Sequence, residues 1–168
     1  MKGIALVYMV AGMSSRFEGK IKQFAEVGPK GEKLLEYSIK QAIPAKFSKI
    51  ILIVGEKTEA PMREFFGNKY IGAPVLYAKQ KFNPEERDKP WGTADALCSA
   101  KKIIDCPFIV CNGDDLYGRS SFKILADHLR SSNEAATLGY SIMEVIPEQG
   151  STNRGIFKIE KGYVKDIK

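Results

Sequence analysis

Short apolar runs alternate with helical patterns along this chain, and that alternation constrains its fold more than any other feature. The runs at residues 4–10, 49–55, 75–79 and 108–111 have the length of strands, and most are nearly wholly apolar, as in strands buried on both faces of a sheet. The helices predicted between and after these runs cover residues 34–42, 58–66, 93–104 and 120–129. We therefore predict an α/β fold with a mostly parallel central sheet.

The last part of the chain carries two further predicted elements. Residues 136–143 predict one more strand, and residues 155–167 predict a β-hairpin that turns at residues 160–162. A length of 168 residues fits one domain, and contents of 44% hydrophobic and 27% charged residues exclude the disordered and collagen-like classes. We expect a single domain over residues 1–168.

Charge and cysteine content narrow the range of functions. The formal net charge of +6 suits an anionic partner such as a nucleotide, a phosphorylated sugar, a nucleic acid or an acidic surface. Basic and aromatic residues do not cluster in the sequence, which argues against a nucleic-acid partner. Three cysteines without a CxxC pair and a single histidine argue against a structural zinc site, and reduced thiols indicate the cytoplasm.

The apolar start of the chain also resembles a short signal peptide. We interpret it instead as the first strand, because the alternating pattern that follows requires one there. No other run approaches the length of a membrane span, so we expect no membrane partner.

Ligands of parallel α/β sheets bind beyond the carboxyl ends of the strands, and the first of three polar clusters follows the strand at residues 4–10. It reads AGMSSR at residues 11–16 and continues to Lys22. Small residues let backbone N–H groups approach phosphate oxygens, Arg16 can hold those oxygens with two parallel hydrogen bonds, and Lys22 adds a positive charge. The segment is neither a Walker A loop nor GxGxxG, and a tight turn with two solvated cations stays open as an alternative.

The second cluster combines Gln80 with the segment WGTADAL at residues 91–97. An amide side chain and the backbone edge at Gly92 are suited to reading a nucleobase. The alternative is structural, because Thr93 can serve simply as the cap of the helix that begins there.

The third cluster, NGDD at residues 112–115, ends a buried strand. Crowding the carboxylates of Asp114 and Asp115 costs free energy unless a cation relieves their repulsion. Mg²⁺ binds through one or two carboxylates together with substrate phosphates. A polar turn with aspartate as a local hydrogen-bond acceptor is the alternative.

In this order, the motifs resemble those of the sugar-nucleotide pyrophosphorylase superfamily of nucleotidyltransferases. The family's opening, Ala-Ala-Gly-x-Gly followed by Ser or Thr and Arg, is similar to VAGMSSR at residues 10–16, and its later Lys-Gln pair is similar to KQ at residues 22–23. Its Gln and Gly-Thr-Ala element for reading the base resembles Gln80 with GTA at residues 92–94.

Two further segments carry the resemblance towards the end of the chain. The segment NGDDLYG at residues 112–118 is similar to the family's metal motif, and NRG at residues 153–155 resembles the segment that leads into the acceptor-binding hairpin. The match therefore covers nearly the whole chain in the family's order.

The resemblance implies a Rossmann-like three-layer nucleotidyltransferase fold and an enzyme that uses Mg²⁺ to transfer NMP from an NTP to a sugar 1-phosphate, with release of pyrophosphate. The residues to which it gives roles are Arg16 and Lys22 in catalysis; Ala11, Gly12, Ser14, Gln80, Gly92 and Thr93 in nucleotide binding; Asp114 and Asp115 in metal binding; and Asn153 and Gly155 in acceptor binding.

The chain departs from the family pattern at two positions and in length. Ser14 stands where a second glycine is usual, and Val10 stands where the first alanine is usual. Family members usually continue past this hairpin with a Glu-Lys pair for the acceptor and a second metal-binding aspartate. We therefore expect the acceptor-binding part to be incomplete in residues 1–168.

Two alternative functions stay open beside the sugar-phosphate reaction. One is a cytidylyltransferase or related enzyme with a non-sugar acceptor, such as phosphocholine or a molybdopterin-type phosphate. The other is a nucleotide-binding module without catalytic activity. The sequence also leaves open the preferred base, the sugar and whether the protein forms a homo-oligomer.

Overall fold

The structure is a computed structural model that describes residues 3–12, 21–83, 85–86, 90–147, 150 and 153–168. It divides into two compact units, Met1–Ala135 and Ala136–Lys168. The strands of the first unit are β1 Ala5–Met9, β2 Lys49–Val54, β3 Lys69–Tyr70, β4 Ala73–Lys79 and β5 Phe108–Asn112. Its α-helices are α1 Leu34–Ala42, α2 Glu56–Phe66, α3 Thr93–Ser99 and α4 Arg119–Ser131.

The five strands form one sheet in the order β3-β4-β2-β1-β5. The pairs β4–β2, β2–β1 and β1–β5 are parallel, and only the short edge strand β3 runs antiparallel to its neighbour. The predicted α/β fold with a mostly parallel sheet is therefore confirmed.

Helices cover both faces of this sheet. Because side chains alternate along a strand, Leu6 and Tyr8 of β1 face one core, which contains residues of α1, α2 and α4. Ala5 and Val7 face the other core, where Ala96 of α3 packs. The central strands β1 and β2 are thus buried on both sides, which explains their continuous apolar sequences.

Three predicted helices differ in detail from the observed ones, and the one predicted at residues 120–129 extends over Arg119–Ser131. The helix predicted at residues 58–66 with Thr58 as its cap begins earlier, at Glu56, and Gly55 is its N-cap residue. Thr58 still contributes to capping this helix, because its Oγ1 accepts a hydrogen bond of 2.9 Å from the backbone N–H of Gly55. The helix predicted over residues 93–104 ends at Ser99, where the chain tightens through i→i−3 bonds such as Ala100 N–H to the Leu97 carbonyl, 3.0 Å.

The second unit contains a short helix, α5 Ile142–Val145, and the strands β6 Phe157–Glu160 and β7 Tyr163–Ile167. The predicted hairpin is confirmed as an antiparallel β6–β7 pair. The strand predicted at residues 136–143 is wrong, because residues 136–141 have no regular structure. None of the described residues of this unit is buried, so the segment lacks the buried face that stabilises a strand, and Gly139 weakens a strand further.

None of the helices in the described ranges combines the length and apolar content needed to cross a membrane. The expectation of a single domain over residues 1–168 stays a prediction.

Tyr8 carries the one hydroxyl group placed at the centre of β1, and Ser38 of α1 satisfies it. Tyr8 and Ser38 are 0% and 1% exposed, and their hydroxyl oxygens lie 2.8 Å apart. Burial raises the pKa of Tyr8 well above its ordinary value, so the hydroxyl stays protonated.

We expect Ser38→Ala to lower the free energy of unfolding by about 1–3 kcal/mol, because it leaves the Tyr8 hydroxyl buried without its partner. Urea denaturation measures the change. The double variant Tyr8→Phe, Ser38→Ala removes both polar groups and is expected to be more stable than Ser38→Ala alone. A single variant as stable as the wild type would show that this hydrogen bond contributes nothing.

Candidate functional site

The carboxyl ends of β1 and β5 meet where the order of strands in the sheet reverses. From β1 the chain adds β2 and then β4 on one side, and it then returns to place β5 on the other side of β1. Open α/β sheets bind ligands in the crevice at such a reversal. The segments that leave β1 and β5 here are those of the first and third polar clusters.

Gly113 lets the loop after β5 pack directly on the end of β1. Its N–H donates a hydrogen bond of 3.0 Å to the Met9 carbonyl. A Cβ on Gly113 would lie 2.9 Å from that oxygen and 2.3 Å from Cγ1 of the fully buried Val10. Only glycine therefore allows this approach.

Gly55, after β2, approaches the other side of the same segment. A Cβ on Gly55 would lie 2.7 Å from the Ala11 carbonyl oxygen, and the Val10 N–H donates to the Ile53 carbonyl at 2.9 Å. The predicted nucleotide-binding residues Ala11 and Gly12 thus continue from a backbone that is held between the ends of two neighbouring strands.

An ion pair joins the first cluster to the third. Nζ of Lys22 donates to Oδ2 of Asp114 at 3.1 Å, although the two residues are 92 positions apart. The Lys22 and Asp114 side chains are 34% and 43% exposed, so both remain accessible to a ligand. The structure therefore brings together a predicted catalytic cation and a predicted metal-binding carboxylate at the strand reversal.

Asp115 has a different environment from Asp114. Its Oδ2 accepts a hydrogen bond of 3.0 Å from the Asn112 side-chain amide, and the Asn112 backbone N–H donates to the Tyr117 hydroxyl at 3.0 Å. Burial raises the pKa of Tyr117, so this hydroxyl stays neutral. Asp115 thus helps to hold the loop in shape, whereas Asp114 faces the Lys22 cation.

The residues of the second cluster also converge. The Gln80 backbone N–H donates to the Val54 carbonyl at 2.9 Å, which continues the sheet ladder one residue past β4. Nε2 of Gln80 donates to Oδ2 of Asp95 at 2.8 Å and approaches the Gly92 carbonyl at 3.4 Å. Gly92 is the N-cap of α3 and Thr93 its first residue. In the sheet, strand β2 lies between β4 and β1.

Two polar residues at these loops were given no role by the sequence. Asp95 contacts Gln80 directly. In the sequence it stands inside the segment WGTADAL, as an acidic residue in the first turn of a helix. Gln23 is 5% exposed, lies next to Lys22, and its Oε1 contacts no hydrogen-bond donor among the described residues. Its Cγ would lie 3.4 Å from a Cβ on Gly113.

The remaining predicted residues are placed as follows. Ser14 and Arg16 lie outside the described residues. Asn153 and Gly155 belong to the second unit, just before β6, and both are exposed. A Cβ on Gly155 would lie 3.0 Å from Cγ2 of Ile167. The structure leaves their acceptor-binding role a prediction.

A thiol nucleophile does not fit the strand ends. Cys111 of β5 is buried, and burial, with a smaller contribution from the Asp115 charge, raises its pKa to about 12. The thiol is therefore protonated at neutral pH, whereas the thiolate is the reactive form.

The donor set at the end of β5 suits Mg²⁺ completed by a ligand. Across the described ranges there is no group of three or more His, Cys, Asp or Glu side chains that could hold a metal without help. Mg²⁺ does not need one, because it typically takes one or two carboxylates and completes its shell with phosphate oxygens and water. Asp114, whose Oδ2 already attracts a cation, has the chemistry for such a ligand.

Comparison with known proteins identifies the family of this chain. The family model described as nucleotidyl transferase matches residues 18–167. The chain belongs to the nucleotidyl transferase family. A comparison with curated protein sequences gave no significant match.

Solved structures share the nucleotidyl transferase fold at low sequence identity. One from Bacillus anthracis, described as a glucose-1-phosphate thymidylyltransferase in complex with sucrose, has a TM-score of 0.71 and 16% identity over 98% of this chain and 63% of its own. UDP-glucose pyrophosphorylase from Acinetobacter baumanii has a TM-score of 0.59 and 20% identity over 79% of this chain and 54% of its own. A UDP-glucose pyrophosphorylase complexed with UDP-glucose has a TM-score of 0.59 and 18% identity over 77% and 54%.

These matches show the fold, and they also show a difference in length. The chain spans 63% of the structure from Bacillus anthracis, and it spans 60% and 48% of two further matched structures. It therefore spans less than two thirds of the length of each of these three chains.

Proposed function

We propose that this protein transfers a nucleoside monophosphate from an NTP to a sugar 1-phosphate and releases pyrophosphate. The observation that carries the proposal is the pair of Lys22 and Asp114, brought to 3.1 Å at the strand reversal from distant parts of the sequence. Phosphoryl-type transfer commonly uses a cation that binds the phosphates and a carboxylate that holds Mg²⁺, and this pair supplies one candidate for each role. The order of the family's motifs in the sequence supports the same reaction.

This reaction requires that the two substrates be positioned and their charges neutralised, and it does not require a general base. A phosphate oxygen of the sugar 1-phosphate, already ionised at neutral pH, forms a bond to the α-phosphorus of the NTP. The bond from that phosphorus to the bridging oxygen of the β-phosphate breaks, and pyrophosphate leaves with the bonding electrons. No proton has to be removed from the nucleophile.

Each cluster is assigned one part of this task. Lys22, with Arg16, neutralises the triphosphate and the leaving pyrophosphate, and the backbone at Ala11, Gly12 and Ser14 contacts the same phosphates. Gln80, with Gly92 and Thr93, binds the base. Asp114 holds Mg²⁺, and Asp115 supports its loop and is the weaker ligand. Mg²⁺, when bound, supplies further positive charge to the phosphate oxygens.

The identity of the acceptor substrate rests on fewer observations than the binding of the NTP. A sugar 1-phosphate is supported by the matched proteins, which are described as a glucose-1-phosphate thymidylyltransferase and as UDP-glucose pyrophosphorylases. Asn153 and Gly155 are the residues proposed to contact it. The protein is expected to act in the cytoplasm in nucleotide-sugar synthesis.

Pyrophosphate release tests the reaction and its acceptor together. The protein is incubated with Mg²⁺, each of five NTPs (ATP, CTP, GTP, UTP and dTTP) and either a panel of hexose 1-phosphates or phosphocholine. The proposal predicts release that requires one NTP and a sugar phosphate. Release with phosphocholine alone would favour the cytidylyltransferase alternative, and binding of NTP without any release would favour a non-catalytic module.

We expect Lys22→Ala to lower the rate of pyrophosphate release by about one to two orders of magnitude, since a charge-assisted contact contributes roughly 1.5–3 kcal/mol. The free energy of unfolding should fall by less than about 1 kcal/mol, because both members of the ion pair are partly exposed. Enzyme kinetics and urea denaturation separate the two effects.

Lys40→Ala is the matched control. Lys40 is 39% exposed and forms an ion pair of 2.8 Å with Glu36 in α1, so its loss removes a similar interaction away from the strand ends. This variant should keep wild-type turnover. Full turnover of Lys22→Ala would contradict the role given to Lys22.

A further inference from the structure

We propose that Asp95 is a positioning residue that fixes the side-chain amide of Gln80, so that the oxygen of Gln80 and not its nitrogen is offered to the nucleobase. The consequence is a preference for bases with a ring N–H, which are uracil, thymine and guanine, over cytosine and adenine. This inference rests on the proposed function, and it assigns a specificity role to Asp95 as well as to Gln80.

The contacts of Gln80 leave one arrangement of its amide. Nε2 lies 2.8 Å from Oδ2 of Asp95 and 3.4 Å from the Gly92 carbonyl oxygen. A carboxylate and a carbonyl oxygen are both acceptors. Rotating the amide by 180° would place Oε1 against two other oxygens, so the chemistry of the neighbours requires the nitrogen to stay where it is.

The position of Gln80 restricts its side-chain amide to this orientation. The residue is 8% exposed, and its backbone N–H is bonded to the Val54 carbonyl at 2.9 Å at the end of the sheet ladder. With the backbone held and Nε2 occupied, Oε1 is the side-chain atom that remains for a ligand. Both side-chain hydrogen bonds of Gln80 to described residues come from Nε2.

The effect on the base follows from hydrogen-bond complementarity. A free glutamine can turn its amide to suit either a donor or an acceptor on the base. A fixed Oε1 accepts from the N3–H of uracil or thymine, or from the N1–H of guanine, and it faces an acceptor at the same ring position in cytosine or adenine. Sites that contain a committed hydrogen-bond partner reject the mismatched analogue.

One pair of nucleotides isolates this contact, and a second pair tests it in purines. UTP and CTP differ only at the N3 and C4 positions of the base, whereas GTP and ATP differ at N1 and C6 and also at the 2-amino group of guanine. Dissociation constants are measured by titration calorimetry in the presence of Mg²⁺ for the wild type and for Asp95→Ala. We expect the wild type to favour UTP over CTP, or GTP over ATP, on the order of tenfold, and Asp95→Ala to reduce that ratio to about threefold or less because Gln80 can then turn.

An exchange of the two side chains separates positioning from a merely structural role. Gln80→Glu alone sets two carboxylates against each other and should weaken binding of all nucleotides. In the double variant Gln80→Glu, Asp95→Asn, the amide of residue 95 donates to the carboxylate of residue 80, which again offers an oxygen to the base. The double variant should regain binding and the preference for the ring N–H base.

Each outcome of these experiments supports or overturns the role proposed for Asp95. An unchanged ratio in Asp95→Ala, an equal loss of affinity for both members of a pair, or a double variant that fails to regain the preference would overturn the role of Asp95, while the proposed function would stand. Absence of binding of every NTP to the wild-type protein would instead overturn the proposed function, and the inference with it.

Discussion

Asp114→Asn should lower the rate of pyrophosphate release at least about 100-fold, the loss typical when one preorganised electrostatic group is removed from a catalytic site. The amide that replaces the carboxylate keeps its shape but carries no charge to attract Mg²⁺. The fold should survive, because the Asp114 side chain is 43% exposed and its ion pair with Lys22 is only partly buried. Steady-state kinetics over a range of Mg²⁺ concentrations would measure the effect.

Asp115→Asn is the matched control for this prediction. Its Oδ2 accepts from the Asn112 amide at 3.0 Å, and an asparagine at 115 can still accept such a bond through its carbonyl. We expect a loss of less than about tenfold, since one neutral hydrogen bond contributes on the order of 1 kcal/mol. A larger loss in Asp115→Asn than in Asp114→Asn would reverse the two assignments.

Gly113→Ala should lower the free energy of unfolding by about 2–4 kcal/mol, the sum of an overpacked core contact and a lost hydrogen bond. The added Cβ would lie 2.3 Å from Cγ1 of Val10 and 2.9 Å from the Met9 carbonyl. Val10 is 0% exposed and cannot move into solvent. The melting temperature should fall by roughly 4–16 °C for a chain of this size.

Gly12→Ala provides the comparison, since Gly12 lies in the predicted phosphate loop that follows the Met9 and Val10 segment which Gly113 contacts. None of the described atoms lies within 4 Å of a Cβ built on Gly12. Its melting temperature should stay within about 2 °C of the wild type, as expected for a substitution that meets no neighbour. Equal stability of Gly113→Ala and Gly12→Ala would show that the close approach of β5 to β1 is not required.

The fold could be predicted because its signal is repeated. Each buried strand, such as β2 with the sequence KIILIV, is apolar on both faces and is followed by a helical pattern. The segment at residues 136–143 misled the prediction because its composition fits a strand, whereas pairing depends on a neighbour that no local pattern reveals. The end of α3 at Ser99 depends similarly on local i→i−3 bonds.

The candidate site could be predicted residue by residue but not in its contacts. Lys22 and Asp114 were chosen from separate motifs, and only the parallel pairing of β1 with β5 brings them together. Asp95 lies inside the segment WGTADAL but was given no role, because its relation to Gln80 crosses from the end of β4 to the first turn of α3. The unsatisfied Oε1 of Gln23 is likewise a property of packing that the sequence does not contain.

Thermal unfolding with nucleotides tests most directly whether the strand reversal of this sheet is a nucleotide site. The melting temperature is recorded with ATP, CTP, GTP, UTP and dTTP, each with and without Mg²⁺. A ligand at 100 times its dissociation constant adds about 2.7 kcal/mol of stability, roughly 5–11 °C for a chain of this size. Our account predicts such a shift for at least one NTP, larger with Mg²⁺ and reduced in Lys22→Ala. Melting temperatures that stay unchanged with all five nucleotides would contradict it.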